Sequence, residues 1–424
     1  MNTEGYGWGH FVAARPTSAS MVPARKARGS PHMSHTRRIS ITGSVLLLAV
    51  VLATPITAKP GNGGGGGGGG GGGSPSVAVV SLGDSYISGE AGRWAGNSLT
   101  NSGNRGGTDR AAYRKKGQWY YDASLVYLQG TDSDGCHRSD VADIHSTGQN
   151  VASINLACSG AVTANIPRAS QGGQSQKGWA PQADQLAAVS GSTDIAMVVL
   201  SIGGNDLGFS DIILDCVTEW FTSPSWWENH CNGEQQDNVD ARMPAAMNGV
   251  RNAIDEIKAV MAARGDSDYR LVLRSYASPI PRGSENRYPE SGWSRWDDGG
   301  CPTWNEDANW ARDSLVPQIA ANLAVVASEK GVEFLDMQDA LEDHEVCSIH
   351  AGHGPGNNGA GAEWVRWVNT GWNQGEAQES AHPNAYGQRQ AGACLGAMFA
   401  AGPGNYSCTS PAGATPESVT LVPT

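Results

Sequence analysis

Ser85, Gly160, Asn205 and His382 are the residues whose types and settings fit together as chemistry. Ser85 follows Gly83-Asp84, directly after an apolar run at 77–82. Gly160 lies in Cys158-Ser159-Gly160-Ala161 after a run at 151–157, and Asn205 in Gly203-Gly204-Asn205-Asp206 after a run at 195–202. A serine hydroxyl, a glycine N–H and an asparagine amide in tight turns are the parts of a nucleophile with an oxyanion site. The serine's own N–H would be the third donor. Such a serine needs a base. His382 stands out among the histidines because Pro383-Asn384 and a closing helical pattern at 385–400 follow it. Glu379 lies three residues earlier, close enough to orient an imidazole. Taken singly, each residue has an ordinary reading: a polar turn at 83–85, a loop or helix-capping histidine at 382.

The elements that must position them are legible as short apolar runs. The run at 77–82 is rich in β-branched residues and stops at a glycine, the pattern of a buried strand, and further short apolar runs follow at 151–157, 195–202, 271–273 and 332–335. Apolar residues three or four apart predict helices at 181–189, 240–264 and 310–330. Alternation of strands and helices predicts an α/β fold: one doubly wound domain with a mostly parallel, five-stranded sheet flanked by helices. In such a sheet the strand ends share one edge, where ligands bind. Ser85 would stand there at the start of a helix, where unpaired N–H groups favour negative charge.

Before this body, residues 1–58 read as a polar extension followed by a secretory signal peptide. Arg37 and Arg38 precede an apolar run at 39–56 that ends in small residues. Met33 is an alternative translation start. The Arg pair is also a weak twin-arginine signal, leaving the export route open. The glycine-rich stretch 59–76 predicts a flexible linker. The catalytic body is expected over 77–408, with a loose tail at 409–424. Cys136, Cys158, Cys216, Cys231, Cys301, Cys347, Cys394 and Cys408 all fall inside the body. An even count behind a signal peptide predicts disulfides in an extracellular protein. Sequential pairing is the simplest scheme, though sequence alone does not fix it. No C-x-x-C pair is present, and the His350/His353 pair lies in a glycine-rich loop that would hold a metal poorly, so no metal or other cofactor is expected. A net charge of −12 without a basic, aromatic-interleaved patch excludes nucleic acid and strongly anionic membranes as partners. A monomer without stable membrane insertion after signal cleavage is expected.

GDSY at 83–86, the glycine of ACSGA at 157–161, GGND at 203–206 and ESAHPN at 379–384 resemble the four blocks of the SGNH hydrolases, also called GDSL esterases and lipases. The blocks stand in the family's order and cover nearly all of the body. SYISGEAG at 85–92, CHRS at 136–139 and HEVCS at 344–348 resemble the secreted, disulfide-bonded actinobacterial-type subgroup. The resemblance implies an SGNH, flavodoxin-like fold and a serine carboxylic-ester hydrolase. Ser85 would be the nucleophile, His382 the base, and Ser85, Gly160 and Asn205 the oxyanion hole. It also implies three bridges, matching the first three sequential pairs and leaving Cys394–Cys408 as an extra one. One departure is Glu379, where the family usually has Asp. In some relatives a backbone carbonyl three residues before the histidine takes the role; this chain could use the Glu379 side chain or its main-chain oxygen, and the side chain is preferred because a carboxylate stands at the right spacing. The G-x-S-x-G signature of the α/β-hydrolases is absent around Ser85.

Insertions at 93–135, 216–235, 281–310 and 350–378 are rich in aromatics, including Trp94, Trp220, Trp226, Trp227, Trp293, Trp304, Trp364 and Trp372. These side chains could line an acyl groove, stack on sugars, or simply pack the loops onto the body. An esterase or lipase is the leading reading. A phospholipase or polysaccharide deacetylase of the same fold is the alternative. A non-catalytic carbohydrate- or surface-binding protein is the alternative from another class.

Overall fold

The computed structural model describes residues 77–424 apart from 266, 357 and 369–373. The signal peptide and extension at 1–58, the linker at 59–76 and Trp372 lie outside the described residues. The strands are β1 (Val77–Gly83), β2 (Ala112–Lys115), β3 (Gln118–Tyr121), β4 (Ala152–Asn155), β5 (Asp194–Ser201), β6 (Arg270–Arg274), β7 (Glu333–Asp336), β8 (Tyr406–Thr409) and β9 (Thr420–Pro423). The main sheet runs β4-β1-β5-β6-β7-β8-β9, with β2 and β3 forming a separate hairpin. Its neighbours pair in parallel up to β8, and β9 closes the edge antiparallel.

The sheet therefore has seven strands, not the five expected. Both additional strands come from the C-terminal segment, whose end had the composition of a loose tail. Four-residue strands carry too little alternation to be read against Pro, Ser and Thr neighbours. Tertiary contacts hold them: Cys394–Cys408 ties β8 to the last helix, and Tyr406 and Leu421 pack against the core.

Alternation along the strands buries both faces of the sheet. Val80, Leu82, Val198, Leu200 and Leu273 pack on one side, beneath helices Gln182–Val189, Asn232–Ala262 and Val316–Lys330. Val79, Met197, Val199, Val272 and Leu335 face the other side, against helix Ala385–Ala401. Helix Asn232–Ala262 starts earlier than its apolar periodicity suggested. A further helix, Phe209–Thr222, reaches into the stretch that read as an insertion. Asp211, Asp215 and Glu219 are interleaved with its apolar residues and obscure the pattern.

The topology explains how distant residues meet. The chain leaves β1 for β4 on one side and later resumes at β5 on the other. β1 is thus the switch point, where strand direction of travel reverses and a crevice opens. The turns after β4, β1 and β5 emerge side by side. The four disulfides are Cys136–Cys158, Cys216–Cys231, Cys301–Cys347 and Cys394–Cys408, the sequential scheme.

Candidate active site

The turn after β1 is built around Gly83, whose φ of +141° and packing exclude a side chain. A Cβ there would meet the Ser201 carbonyl at the end of β5. The Gly83 N–H donates to Gln182 Oε1 at 2.7 Å, and Gln182 Nε2 donates back to the Gly83 carbonyl at 2.8 Å. Asp84 then caps the short helix Ser85–Ser88, accepting from the Tyr86 N–H at 3.1 Å. Its other oxygen accepts from the Tyr276 hydroxyl at 2.5 Å, and that hydroxyl accepts from the Gly204 N–H at 3.0 Å. This relay bolts the turn after β1 to the turn after β5. Burial pushes the Asp84 carboxyl up to about 7, against the lowering effect of its Tyr276 and Tyr86 bonds.

Ser85 Oγ lies 2.7 Å from His382 Nε2. On the far side of the ring, Nδ1 lies 2.9 Å from the Ser380 carbonyl oxygen. A carbonyl can only accept, so Nδ1 carries the proton and Nε2 presents its lone pair to the serine hydroxyl. The histidine backbone is clamped at several points. Tyr86 donates its hydroxyl to the Ala381 carbonyl at 3.0 Å, the Ala381 N–H donates to Arg366 at 2.8 Å, and the Arg366 N–H donates to His382 at 2.8 Å. Ala381 is held at φ +58°, a left-handed conformation that these bonds enforce next to the histidine.

Glu379 does not reach the imidazole. Its carboxylate accepts from Trp94 Nε1 at 2.8 Å, the Tyr127 hydroxyl at 2.5 Å and the Glu376 N–H at 2.9 Å. The preference for its side chain as the orienting group is therefore not matched by the geometry, and neither is the alternative of its main-chain oxygen, since the accepting carbonyl is that of Ser380, one residue on. The reason is the insertion at 93–135, which brings Trp94 and Tyr127 to the carboxylate. Beside it, the fully buried Arg366 guanidinium lies 3.8 Å over the Trp94 ring and donates to Asn97 Oδ1 at 2.9 Å and to the Gln374 carbonyl at 2.7 Å. Burial lowers the Arg366 pKa to about 9, and the charge of Glu379 opposes that shift.

Gly160 has φ +80°, in a turn fixed by the Cys136–Cys158 bridge and by the Ser159 N–H donating to the Cys136 carbonyl at 3.0 Å. Asn205 Nδ2 donates one hydrogen to the Ala161 carbonyl at 2.8 Å, which leaves the second for a ligand. Among the described residues, the N–H groups of Ser85 and Gly160 have no acceptor. Ser85, Gly160, Asn205 and His382 all line one cavity of about 340 Å³. Away from these four its wall is chiefly apolar, including Phe209, Ile212, Val217, Leu315 and Val346. Trp94 and Trp364 are instead fully buried and Trp220 and Trp304 nearly so, all outside the lining of this cavity.

Two residues carried no signal beyond their membership of SYISGEAG and CHRS. Glu90, fully buried, holds His137 Nδ1 at 2.7 Å, and the His137 ring stacks on Tyr127 with centroids 4.1 Å apart. Burial alone would raise the Glu90 carboxyl, but the bond and charge of His137 more than offset it, leaving the pKa lowered. Burial lowers the pKa of His382 below its ordinary value; the charge of Glu90 is the largest opposing influence, followed by the Ser380 carbonyl.

His350 and His353 do not converge: the first approaches Asp343 at 3.6 Å and the second bonds the Tyr288 hydroxyl at 3.0 Å. Cys216, Cys231 and Asp307 lie close together, but the two sulfurs are joined as a disulfide and offer no thiolate.

No protein-family model matches the chain. It is similar to Lipase 1 of Streptomyces coelicolor, with 28% identity over 207 residues. The match covers 48% of this chain and 59% of that protein, so the chain spans about three fifths of that relative's length. The similarity agrees with the resemblance of the four blocks to the SGNH hydrolases. Solved structures similar to this chain include an extracellular lipase from Streptomyces rimosus, at 21% identity and a TM-score of 0.44, covering 74% of this chain and 95% of that one. Another is phospholipase A1 from Streptomyces albidoflavus NA297, at 20% identity and a TM-score of 0.44, covering 76% and 98%.

Proposed function

We propose that this protein belongs to the SGNH hydrolases and is a secreted serine carboxylic-ester hydrolase acting on esters with an apolar acyl group. The observation that carries the reading is the 2.7 Å contact between Ser85 Oγ and His382 Nε2 at the head of an apolar cavity. Ser85 Oγ attacks the ester carbonyl carbon while His382 Nε2 takes its proton. The carbonyl oxygen becomes an oxyanion and receives hydrogen bonds from the N–H groups of Ser85 and Gly160 and from Asn205 Nδ2. Collapse breaks the C–O bond to the alcohol, which leaves with the proton from His382. Water then attacks the acyl-serine, passing its proton to His382, and the acid departs as Ser85 regains its proton. In this scheme the Ser380 carbonyl, rather than the Glu379 side chain, holds the tautomer. A neutral carbonyl stabilises the imidazolium less than a carboxylate would, and the negative charge of Glu90 supplies part of the difference.

The aliphatic wall favours a lipid-like acyl group over acetyl, and so a lipase, esterase or phospholipase over a polysaccharide deacetylase. Lipase 1 is named for such an activity, which supports the same class. Four disulfides support action outside the cell. The test is hydrolysis of p-nitrophenyl esters of graded acyl length by the full chain and by Ser85→Ala. Turnover should rise beyond acetyl and vanish in the variant, and a serine-directed phosphonate should label Ser85. Absence of hydrolysis with the fold intact, or labelling of Ser159 or Ser201 instead, would overturn the reading.

A further inference from the structure

Helix Phe209–Thr222 has two apolar faces. Inward, Phe209, Ile212, Ile213 and Val217 wall the cavity that holds Ser85 and His382. Outward, Leu214 is 66% exposed and Phe221 39%. The loop after the helix adds Trp226 and Trp227, 82% and 70% exposed, and a neighbouring loop adds Trp293 at 67%. Phe221 and Trp293 have ring centroids 6.3 Å apart, and Trp220 lies beneath both in edge-to-face contact. A shallow hollow lined by Phe221, Ser225 and Trp293 joins the two loops into one surface. Single exposed apolar residues need no explanation, but Phe221 and Trp293 packed together over a buried tryptophan, with two exposed tryptophans one and two residues beyond Ser225 of the same hollow, mark an interaction site.

We infer that Leu214, Phe221, Trp226, Trp227 and Trp293 form a docking surface for a neutral or zwitterionic lipid–water interface, which brings aggregated ester to the cavity walled by the same helix. The inference rests on the proposed hydrolase reading for its substrate, though adsorption itself needs no chemistry. Charge chooses the partner. From Phe209 to Asp240 the chain has no Lys or Arg, whereas Asp211, Asp215, Glu219 and Glu228 fall in or beside the patch. An anionic bilayer would be repelled and a neutral one would not. Tryptophan favours the headgroup level because its ring is apolar and its indole N–H still needs a partner. Sugar stacking fits less well: Trp220, Phe221, Trp293 and Trp296 meet one another edge-on or tilted, not as an open row of parallel faces.

The experiment compares the full chain with Trp226→Ala/Trp227→Ala and with Trp293→Ala, all in the Ser85→Ala background, for co-sedimentation with phosphatidylcholine vesicles. The parent should partition with a blue shift of its tryptophan fluorescence. The double variant should bind at least about tenfold more weakly, since two indoles lose their apolar contact with the interface. Admixed phosphatidylglycerol should weaken binding of the parent. With Ser85 present, the tryptophan variants should keep full rates on a soluble short-chain ester and lose rate on an emulsified long-chain ester. Vesicle binding that is absent, or equal in parent and variants, overturns the inference, as does binding of insoluble polysaccharide in its place. Vesicle binding by a chain that hydrolyses no ester would retain the docking surface and refute the hydrolase reading alone.

Discussion

His382 Nδ1 donates to the Ser380 carbonyl at 2.9 Å, while the carboxylate one residue away, on Glu379, is engaged by Trp94, Tyr127 and the Glu376 N–H. The backbone orients the imidazole, and the acid secures the loop that carries it. Glu379→Gln should therefore lower kcat by less than about tenfold while costing about 1–3 kcal/mol of stability, because buried donors lose a charged acceptor. Steady-state kinetics beside denaturant unfolding measures both. A much larger fall in kcat with unchanged stability would return the carboxylate to the imidazole.

Asn205 spends one amide hydrogen on the Ala161 carbonyl and keeps the other for the site. Asn205→Ala should reduce kcat by roughly 10²–10³-fold with little change in KM, since the bond strengthens on charge that develops during attack. If KM rises while kcat holds, the amide binds the ground state.

The pH profile reports the electrostatics around His382. The ring must be neutral to accept the Ser85 proton, and burial lowers its pKa from the ordinary 6.5. The acid limb of kcat/KM should accordingly fall below pH 6.5. Glu90 is the largest influence opposing that shift, so Glu90→Gln should move the limb to still lower pH and reduce kcat several-fold. A purely structural role for Glu90 would reduce the active fraction and leave the limb in place.

Asp84 ties the turn that carries Ser85 to Tyr276 and titrates at about 7 in the folded chain, against 3.8 for a free carboxyl. The folded state thus holds this proton more tightly than the unfolded one. The stabilisation is complete below about pH 4 and is lost as pH rises to about 7, amounting to at most roughly 4 kcal/mol. Asp84→Asn lacks the titration but can still cap the helix. Unfolding free energies measured across this range should show wild type losing stability relative to the variant as pH increases. Parallel curves would show that Asp84 titrates alike in both states.

Five of the seven strands of the main sheet (β1 and β4 to β7), most of the long helices and the turn residues at 83–85, 160 and 203–205 were legible in the sequence. These features are local: β-branched runs stop at glycines, and positive φ at Gly83, Gly160 and Gly203 is needed wherever the chain turns so tightly. The sequential disulfides were the simplest scheme from spacing, and folding brings those pairs together. The rest depends on contacts between segments far apart in the chain. The pairing of β8 and β9 depends on contacts with β7 and helix Ala385–Ala401, which four-residue segments cannot announce. The partner of His382 depends on where Trp94 and Tyr127, more than 250 residues earlier, draw the Glu379 carboxylate. Glu90 and His137 likewise become a pair only when the turns after β1 and before β4 pack together. Spacing along the chain fixes which groups are available, but hydrogen bonds between distant segments choose which atoms face one another.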